Sequence, residues 1–257
     1  MKVATFNVNS IRRRLSVVTR WLKKHHPDVL CLQETKVQDR EFPLDVLSKT
    51  GYHITFRGMK GYNGVAVLSR TTPQSVSFGL GKGADADEPR FIHAVIQGVT
   101  IINTYVPQGF RIDSPKYQYK LKWFERLRRY LTQHLKPDQS IIWCGDMNVA
   151  PGWIDVHSPE KHLTHVCFHE AVKKAYAKTV KWGFEDVFRR LYPDRQQFTF
   201  WDYRQPSALK DNRGWRIDHI LATKTLARRC TAVDVDLDPR RGTSPSDHTV
   251  LWADFSL

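Results

Sequence analysis

The 257-residue chain reads as a layered α/β domain. Short apolar runs of strand length recur along it, helical apolar spacings are interspersed among them, and no linker, low-complexity tract or short repeat interrupts the pattern. Strand patterns fall at residues 3–6, 29–32, 52–56, 65–68, 91–96, 100–104, 141–143, 198–201, 217–222, 232–235 and 249–253. Ser10 stands where it could cap a helix whose apolar face is Ile11, Leu15, Val18 and Leu22. Trp123, Leu127, Tyr130 and Leu131 predict a second helix, and Val172, Tyr176 and Val180 a third. A single domain over residues 1–257 is the simplest account, with polar loops at 81–88 and 204–213.

Forty Lys and Arg against 26 Asp and Glu give a formal charge of +14, which favours polyanionic partners such as nucleic acid or an acidic membrane. Cys31, Cys144, Cys167 and Cys230 are widely spaced, which argues against a disulfide framework or a zinc ribbon and for a reducing compartment. The N-terminus lacks the three-part pattern of a signal peptide. No apolar stretch approaches the ~20 residues that span a bilayer. The expectation is a cytoplasmic protein that does not enter membranes.

Polar residues gather at strand ends. Asn7 and Asn9 follow the first strand, Glu34 the second, and Asp146 and Asn148 the run Ile-Ile-Trp-Cys-Gly; Asp218 lies inside Trp-Arg-Ile-Asp-His-Ile-Leu, and Asp247 and His248 precede the last strand. Each alone is an ordinary turn or surface group. Together they suit phosphodiester hydrolysis, which needs oxygen ligands for a hard cation, a base for water, and donors for phosphate charge. A serine-hydrolase elbow, a Gly-x-x-x-x-Gly-Lys-Ser/Thr loop and a His-Glu-x-x-His helix are all absent from the sequence.

Seven motifs then stand in order: Phe6-Asn7-Val8-Asn9, Leu32-Gln33-Glu34-Thr35-Lys36, Tyr62-Asn63-Gly64-Val65-Ala66, Tyr105-Val106-Pro107-Gln108-Gly109, Gly145-Asp146-Met147-Asn148, Gly214-Trp215-Arg216-Ile217-Asp218 and Ser246-Asp247-His248. With these motifs the chain resembles, over nearly its whole length, bacterial exonuclease III and the apurinic/apyrimidinic endonucleases of the endonuclease/exonuclease/phosphatase superfamily. The resemblance implies a four-layer α/β sandwich, with two packed, mostly antiparallel sheets flanked by helices.

It further implies Mg²⁺ or Mn²⁺ as cofactor, with Glu34 as principal ligand, Asn7 organising the metal site and Asp247 contacting the metal. His248, oriented by Asp218, would lie against the scissile phosphate. Asp146 would position or deprotonate water, and Tyr105 and Asn148 would bond phosphate oxygens. Phe200, Trp215 and Ile217 match the walls of a pocket for an extruded abasic sugar, and such walls should be rigid and apolar. Lys36, Lys60, Tyr62, Asn63, Arg90 and Gln108 would lie along DNA, with Arg111 and Arg204 entering beside the lesion. The expected partner is double-stranded DNA, abasic or 3′-blocked, bound by a monomer in a structure-selective, salt-sensitive way.

Other readings stay open. The superfamily includes phosphatases of smaller phosphoesters, and a catalytically silent DNA-binding module would share the basic charge. His162, His165, Cys167 and His169, after His157, form a His/Cys group, but their spacing matches no standard zinc finger. The segment 169–176 replaces an acid-and-arginine-rich helix of relatives, and 240–245 also departs from their pattern. Both bear on the balance between abasic-site cleavage, 3′-end cleaning and 3′→5′ degradation.

Overall fold

In a computed structural model that describes residues 1–81, 88–205 and 207–257, the predicted strands assemble into two sheets. The strands are β1 (Lys2–Asn7), β2 (Val29–Gln33), β3 (His53–Arg57), β4 (Val65–Ser69), β5 (Ser75–Phe78), β6 (Phe91–Ile96), β7 (Val99–Tyr105), β8 (Ile141–Asp146), β9 (Phe184–Asp186), β10 (Asp218–Thr223), β11 (Cys230–Asp236) and β12 (Val250–Phe255). One sheet has the order β11-β12-β1-β2-β4-β3 and the other β5-β6-β7-β8-β10-β9. Only β1/β2 and β7/β8 pair in parallel; the other pairings in both sheets are antiparallel.

Period-two alternation decides which side chains meet. Val3, Val29, Cys31, Val65 and Val67 of the first sheet pack against Ile92, Ala94, Ile101, Ile142, Cys144 and Ile220 of the second. The opposite face of the first sheet, with Ala4, Phe6, Leu30 and Leu32, is covered by α1 (Ile11–His25) and α2 (Leu44–Ser48) through Ile11, Val18, Trp21, Leu22 and Leu47. The opposite face of the second sheet, with Ile102, Trp143 and Leu221, is covered by α3 (Pro115–His134) and α4 (Glu170–Val180) through Phe124, Leu127, Leu131, Val172 and Tyr176. Helix, sheet, sheet, helix is the expected four-layer order.

Departures are local. Residues 198–201 form no continuous strand, because Thr199 and Phe200 donate to Trp215 while Trp201 donates to Asp247, so the segment is laced between two neighbours. The strands β5 and β9 escape sequence reading because β5 is exposed along its length and β9 spans three residues. Ser10 precedes α1 but its side chain makes no capping bond. Instead the backbone N–H groups of Ser10 and Ile11 donate to the carbonyls of Glu34 and Thr35, at 2.7 and 3.0 Å, so the helix start is tied to the loop that carries Glu34. Most of the 81–88 loop, residues 82–87, lies outside the described residues, as does residue 206 of the 204–213 loop. All four cysteines are free and buried. Among the described residues no helix is long and apolar enough to cross a membrane.

Candidate active site

The alternation that builds the inter-sheet core also builds the site. Along β1 the inward positions are Val3, Thr5 and Asn7; along β7, Ile101, Asn103 and Tyr105; along β8, Ile142, Cys144 and Asp146; along β10, Asp218, Ile220 and Ala222. In the second sheet Tyr105, Asp146 and Asp218 are direct register partners, one row across three strands. The next row inward is a buried polar layer. Gln33 donates to Thr5 at 2.9 Å and to Asn103 at 2.7 Å, and Asn103 donates to the carbonyls of Leu32 and Ala66. Sequence reading missed this layer; polar residues at inward positions of β1, β2 and β7 are its signal.

Asn7 joins the sheets. Its Nδ2 donates to Glu34 at 2.8 Å and to Asp146 at 2.9 Å, while its Oδ1 accepts from the Asn9 backbone N–H at 3.0 Å. Glu34, Asp146 and His248 each offer a ligand atom, all within 4.8 Å of one another. Two carboxylates, with an amide between them and an imidazole alongside, make an oxygen-rich set suited to a hard divalent cation.

Glu34 sits in the left-handed region at φ +51°, which a glutamate adopts only when its surroundings enforce it. They do: Thr35 and Lys36 donate to the carbonyls of Gly64 and Asn63, at 3.2 and 2.9 Å. Gly64 itself has φ +93°, and a Cβ there would lie 2.0 Å from Thr35 Oγ1, so only glycine fits. Burial opposes ionisation of Glu34, but the Lys36 ammonium 2.7 Å away and the Asn7 amide outweigh it and hold its pKa below the usual carboxylate value.

His248 donates from Nδ1 to Asp218 Oδ2 at 2.8 Å, leaving Nε2 3.7 Å from Asp146. Burial disfavours its charge, yet Asp218 and Asp146 together push its pKa up to about 10. At neutral pH it is an imidazolium. Asp146 shows the reverse: burial, aided by Asp218 and Glu34, pushes its pKa up to about 7 against the pull of His248 and Asn7. Asn148, at φ +49°, curls back so that its backbone N–H meets Asp146 Oδ1 at 2.8 Å and its Nδ2 lies 3.0 Å from Val106 O and 3.2 Å from Asp146 Oδ2. Tyr105 is held by the Arg90 guanidinium, 4.7 Å above its ring, and its phenol pKa is raised by burial and by Glu34.

Asp247 lies behind this group. It accepts from Asn9 Nδ2 at 3.0 Å and from Ser246, and Asn9 Oδ1 in turn accepts from Lys36 at 2.5 Å. Both bonds to Asp247 fall on Oδ1, so it supports Asn9 and Lys36 through one carboxylate oxygen. Arg90 also departs from a simple backbone contact: it is largely buried, bonded to Glu88 and to the carbonyl of Tyr105. Tyr62, Lys60, Arg111 and Arg204 are exposed, Arg111 paired with Asp113 and Arg204 with Asp202. Asn63 contributes its carbonyl to the Glu34 loop, and Gln108 Oε1 accepts from Phe110 N–H.

Phe200 lies against His248, ring centroids 4.9 Å apart, and its backbone bridges both His248 and Trp215. Trp215 and Ile217 are buried, so little of either ring or side chain is open. Trp215 also packs on His165 and His162 at 4.5 and 4.8 Å. Of the His/Cys group, His157, His162 and His165 gather around Trp215, whereas Cys167 points to Asn148 and His169 bonds Tyr117.

Replacing Glu34 by glutamine is expected to weaken divalent-metal binding at least about 10-fold, because a charged oxygen is lost while size is kept. Titration with Mn²⁺, followed by its magnetic resonance signal, tests this; unchanged affinity would move the metal elsewhere.

The architecture and site match known proteins. The Endonuclease/Exonuclease/phosphatase family profile matches residues 4–248. An exodeoxyribonuclease III of Haemophilus influenzae is 36% identical over 267 aligned positions, covering 99% of this chain and all of that one. An AP endonuclease structure from Archaeoglobus fulgidus superposes with a TM-score of 0.98 at 53% identity, and the product-bound 3′ phosphatase NExo from Neisseria, solved with a DNA hairpin, with 0.94 at 36%; both cover 100% of each chain. The chain belongs to the endonuclease/exonuclease/phosphatase family, on its exonuclease III and AP endonuclease branch.

Proposed function

We propose that this protein is a Mg²⁺- or Mn²⁺-dependent DNA-repair nuclease that hydrolyses the phosphodiester 5′ to an abasic site, leaves a 3′-hydroxyl, and also trims or cleans 3′ ends. As a member of its family it is a hydrolase of DNA phosphodiester bonds. The observation that carries the finer reading is the row Tyr105, Asp146, Asp218 meeting Glu34 and His248 between the sheets, with Phe200 adjoining His248 and bridged in turn to Trp215. A divalent cation held by Glu34 beside Asn7 would supply positive charge to the phosphate and make water easier to deprotonate. Asp146 orients the attacking water and takes its proton. His248, kept protonated by Asp218, gives a charged Nε2–H to a phosphate oxygen, and Asn148 and Tyr105 give neutral donors to the others.

The AP endonuclease likeness and the 3′ phosphatase likeness both support one site serving internal and terminal esters. The rival reading, a phosphatase of smaller phosphoesters, has no comparable support from the aromatic wall or from the charge of +14. One assay separates them. The protein is incubated with Mg²⁺ and a duplex carrying one abasic analogue, an undamaged duplex, a 3′-blocked nick, and an inositol phosphate. Cleavage 5′ to the lesion and unblocking of the nick are expected, both abolished by chelation. Hydrolysis of the inositol phosphate alone would sink the DNA reading, and binding without cleavage would make the protein a silent module.

A further inference from the structure

The apolar stripe of α3 contains a lysine. Tyr117, Trp123, Phe124, Leu127 and Leu131 face the second sheet, and Lys120 lies among them with no exposed surface. Among the described residues no carboxylate bonds it. Its three ammonium hydrogens go to three backbone carbonyls: Gln108 at 3.0 Å, Asn148 at 2.7 Å and Val166 at 2.8 Å. That uses every donor a lysine has, which is how a buried ammonium is tolerated. Burial holds its pKa below the ordinary lysine value.

The three carbonyls belong to three separate segments around the cleft. Gln108 leads the loop to Arg111, which packs on the lysine stem; a Cβ at Gly109 would lie 3.3 Å from Lys120 Cδ. Val166 adjoins Cys167, whose Sγ points to Asn148 Oδ1 and whose carbonyl accepts from Ala150. Asn148 is the junction. Its N–H is fixed by Asp146, its side-chain amide by Val106 and Asp146, and its carbonyl by Lys120. A non-glycine residue at φ +49° stays there only while such partners hold it.

We infer that Lys120 is a positioning residue for catalysis, clamping the carbonyls of Gln108, Asn148 and Val166 so that the Asn148 amide is held beside Asp146, where it can turn the N–H it gives to Asp146 Oδ2 towards the phosphate. This rests on the proposed role of Asn148. The charge has no path to substrate, so its action runs through the backbone it holds.

The test compares K120M, N148A and the double variant. K120M keeps the stem and removes the donors. Single-turnover cleavage of abasic DNA should fall about 10- to 100-fold, as expected for a misplaced catalytic group, while duplex affinity without divalent metal changes less than about 3-fold. In the N148A background K120M should slow cleavage by less than about 3-fold, since the group it positions is already gone. Equal slowing in both backgrounds, or an unchanged rate per folded molecule, overturns the inference.

Amide hydrogen exchange supplies a readout that needs no activity. K120M should speed exchange at Asn148 and Ala150 but not along β10. Unchanged exchange there sinks the clamp, whereas failure of the wild-type protein to cleave any DNA would sink the functional reading instead. Should K120M not fold, K120R keeps the charge but cannot match three separately placed acceptors with a planar fork. The expected result is then a smaller loss of rate, with the same local exchange; wild-type exchange and rate in K120R overturn the inference.

Discussion

Asp146→Asn should slow abasic-site cleavage by about 10²- to 10⁴-fold, the range for loss of a general base, while changing duplex affinity by less than about 3-fold. Asp146 is buried at the centre of the row, accepts from Asn7 and twice from Asn148, and faces His248 Nε2. Burial pushes its pKa up to about 7, near the pH at which the enzyme is expected to work, which is where a proton acceptor is most effective. An amide cannot accept that proton. It must also turn its NH₂ towards either the Asn148 N–H or the Asn7 amide, both donors, so one hydrogen bond worth about 1 kcal/mol is lost. A thermal melt separates that small cost from the large rate effect. Rate and affinity falling equally would mark Asp146 as structural.

The same substitution carries a pH signature in metal-free protein. An acid whose folded pKa lies above its unfolded value binds more protons when folded, so it erodes stability as pH rises from about 4 to about 7. D146N should flatten that slope. His248 has the same sense in a higher window: a base with a raised folded pKa stabilises fully below its unfolded value, about 6.5, and the contribution is lost as pH rises through about 10. Because the Asp146 charge also helps to raise the His248 pKa, D146N should in addition move the His248 window to lower pH, so the flattening that reports Asp146 itself is read on the acid side, from about pH 4 to 6.

How far the sequence discloses this site follows from what each signal depends on. Asn7, Asp146 and Asp218 are readable because each lies in or just beyond a strand pattern whose alternation fixes the face it shares, whereas Glu34 follows inward-facing Gln33 and reaches the site only through its left-handed turn. Phe200 is readable as a residue type but not as the link between His248 and Trp215, since residues 198–201 form irregular bridges with no period of their own. Lys120 is legible only as an anomaly, a cation on an apolar helical stripe. The bonds of Asp247 to Asn9 and of Arg90 to Tyr105 depend on side-chain choices among neighbours distant in sequence, which spacing does not encode. Ser10 shows the same limit: a good capping residue by type, displaced because the Glu34 loop already supplies the helix start with carbonyls.

Arg216→Met should destabilise the protein by about 3–5 kcal/mol at neutral pH, or roughly 6–20 °C in melting temperature. Arg216 is buried between two residues of the proposed abasic wall, Trp215 and Ile217. Its Nε donates to Asp155 at 2.6 Å and its Nη1 to Asp186 at 2.7 Å, and Nη1 also meets His219 Nδ1 at 3.1 Å. His219 gives its Nε2–H to the carbonyl of Val149 and sets its Nδ1 against the Arg216–Asp186 pair. Burial alone would raise both carboxyls, yet the guanidinium holds Asp155 and Asp186 below the usual range. Acids with depressed folded pKa values stabilise above the unfolded value, about 3.9, and lose that contribution as pH falls through the folded values. Methionine leaves two buried carboxylates short of their main partner, a penalty that protonation relieves. The gap between wild type and variant should therefore be widest at pH 6–8 and narrow below about pH 4. Melts from pH 3 to 8 decide the matter: a gap that stays constant across that range would rule out the ion-pair account, leaving lost packing as the cause.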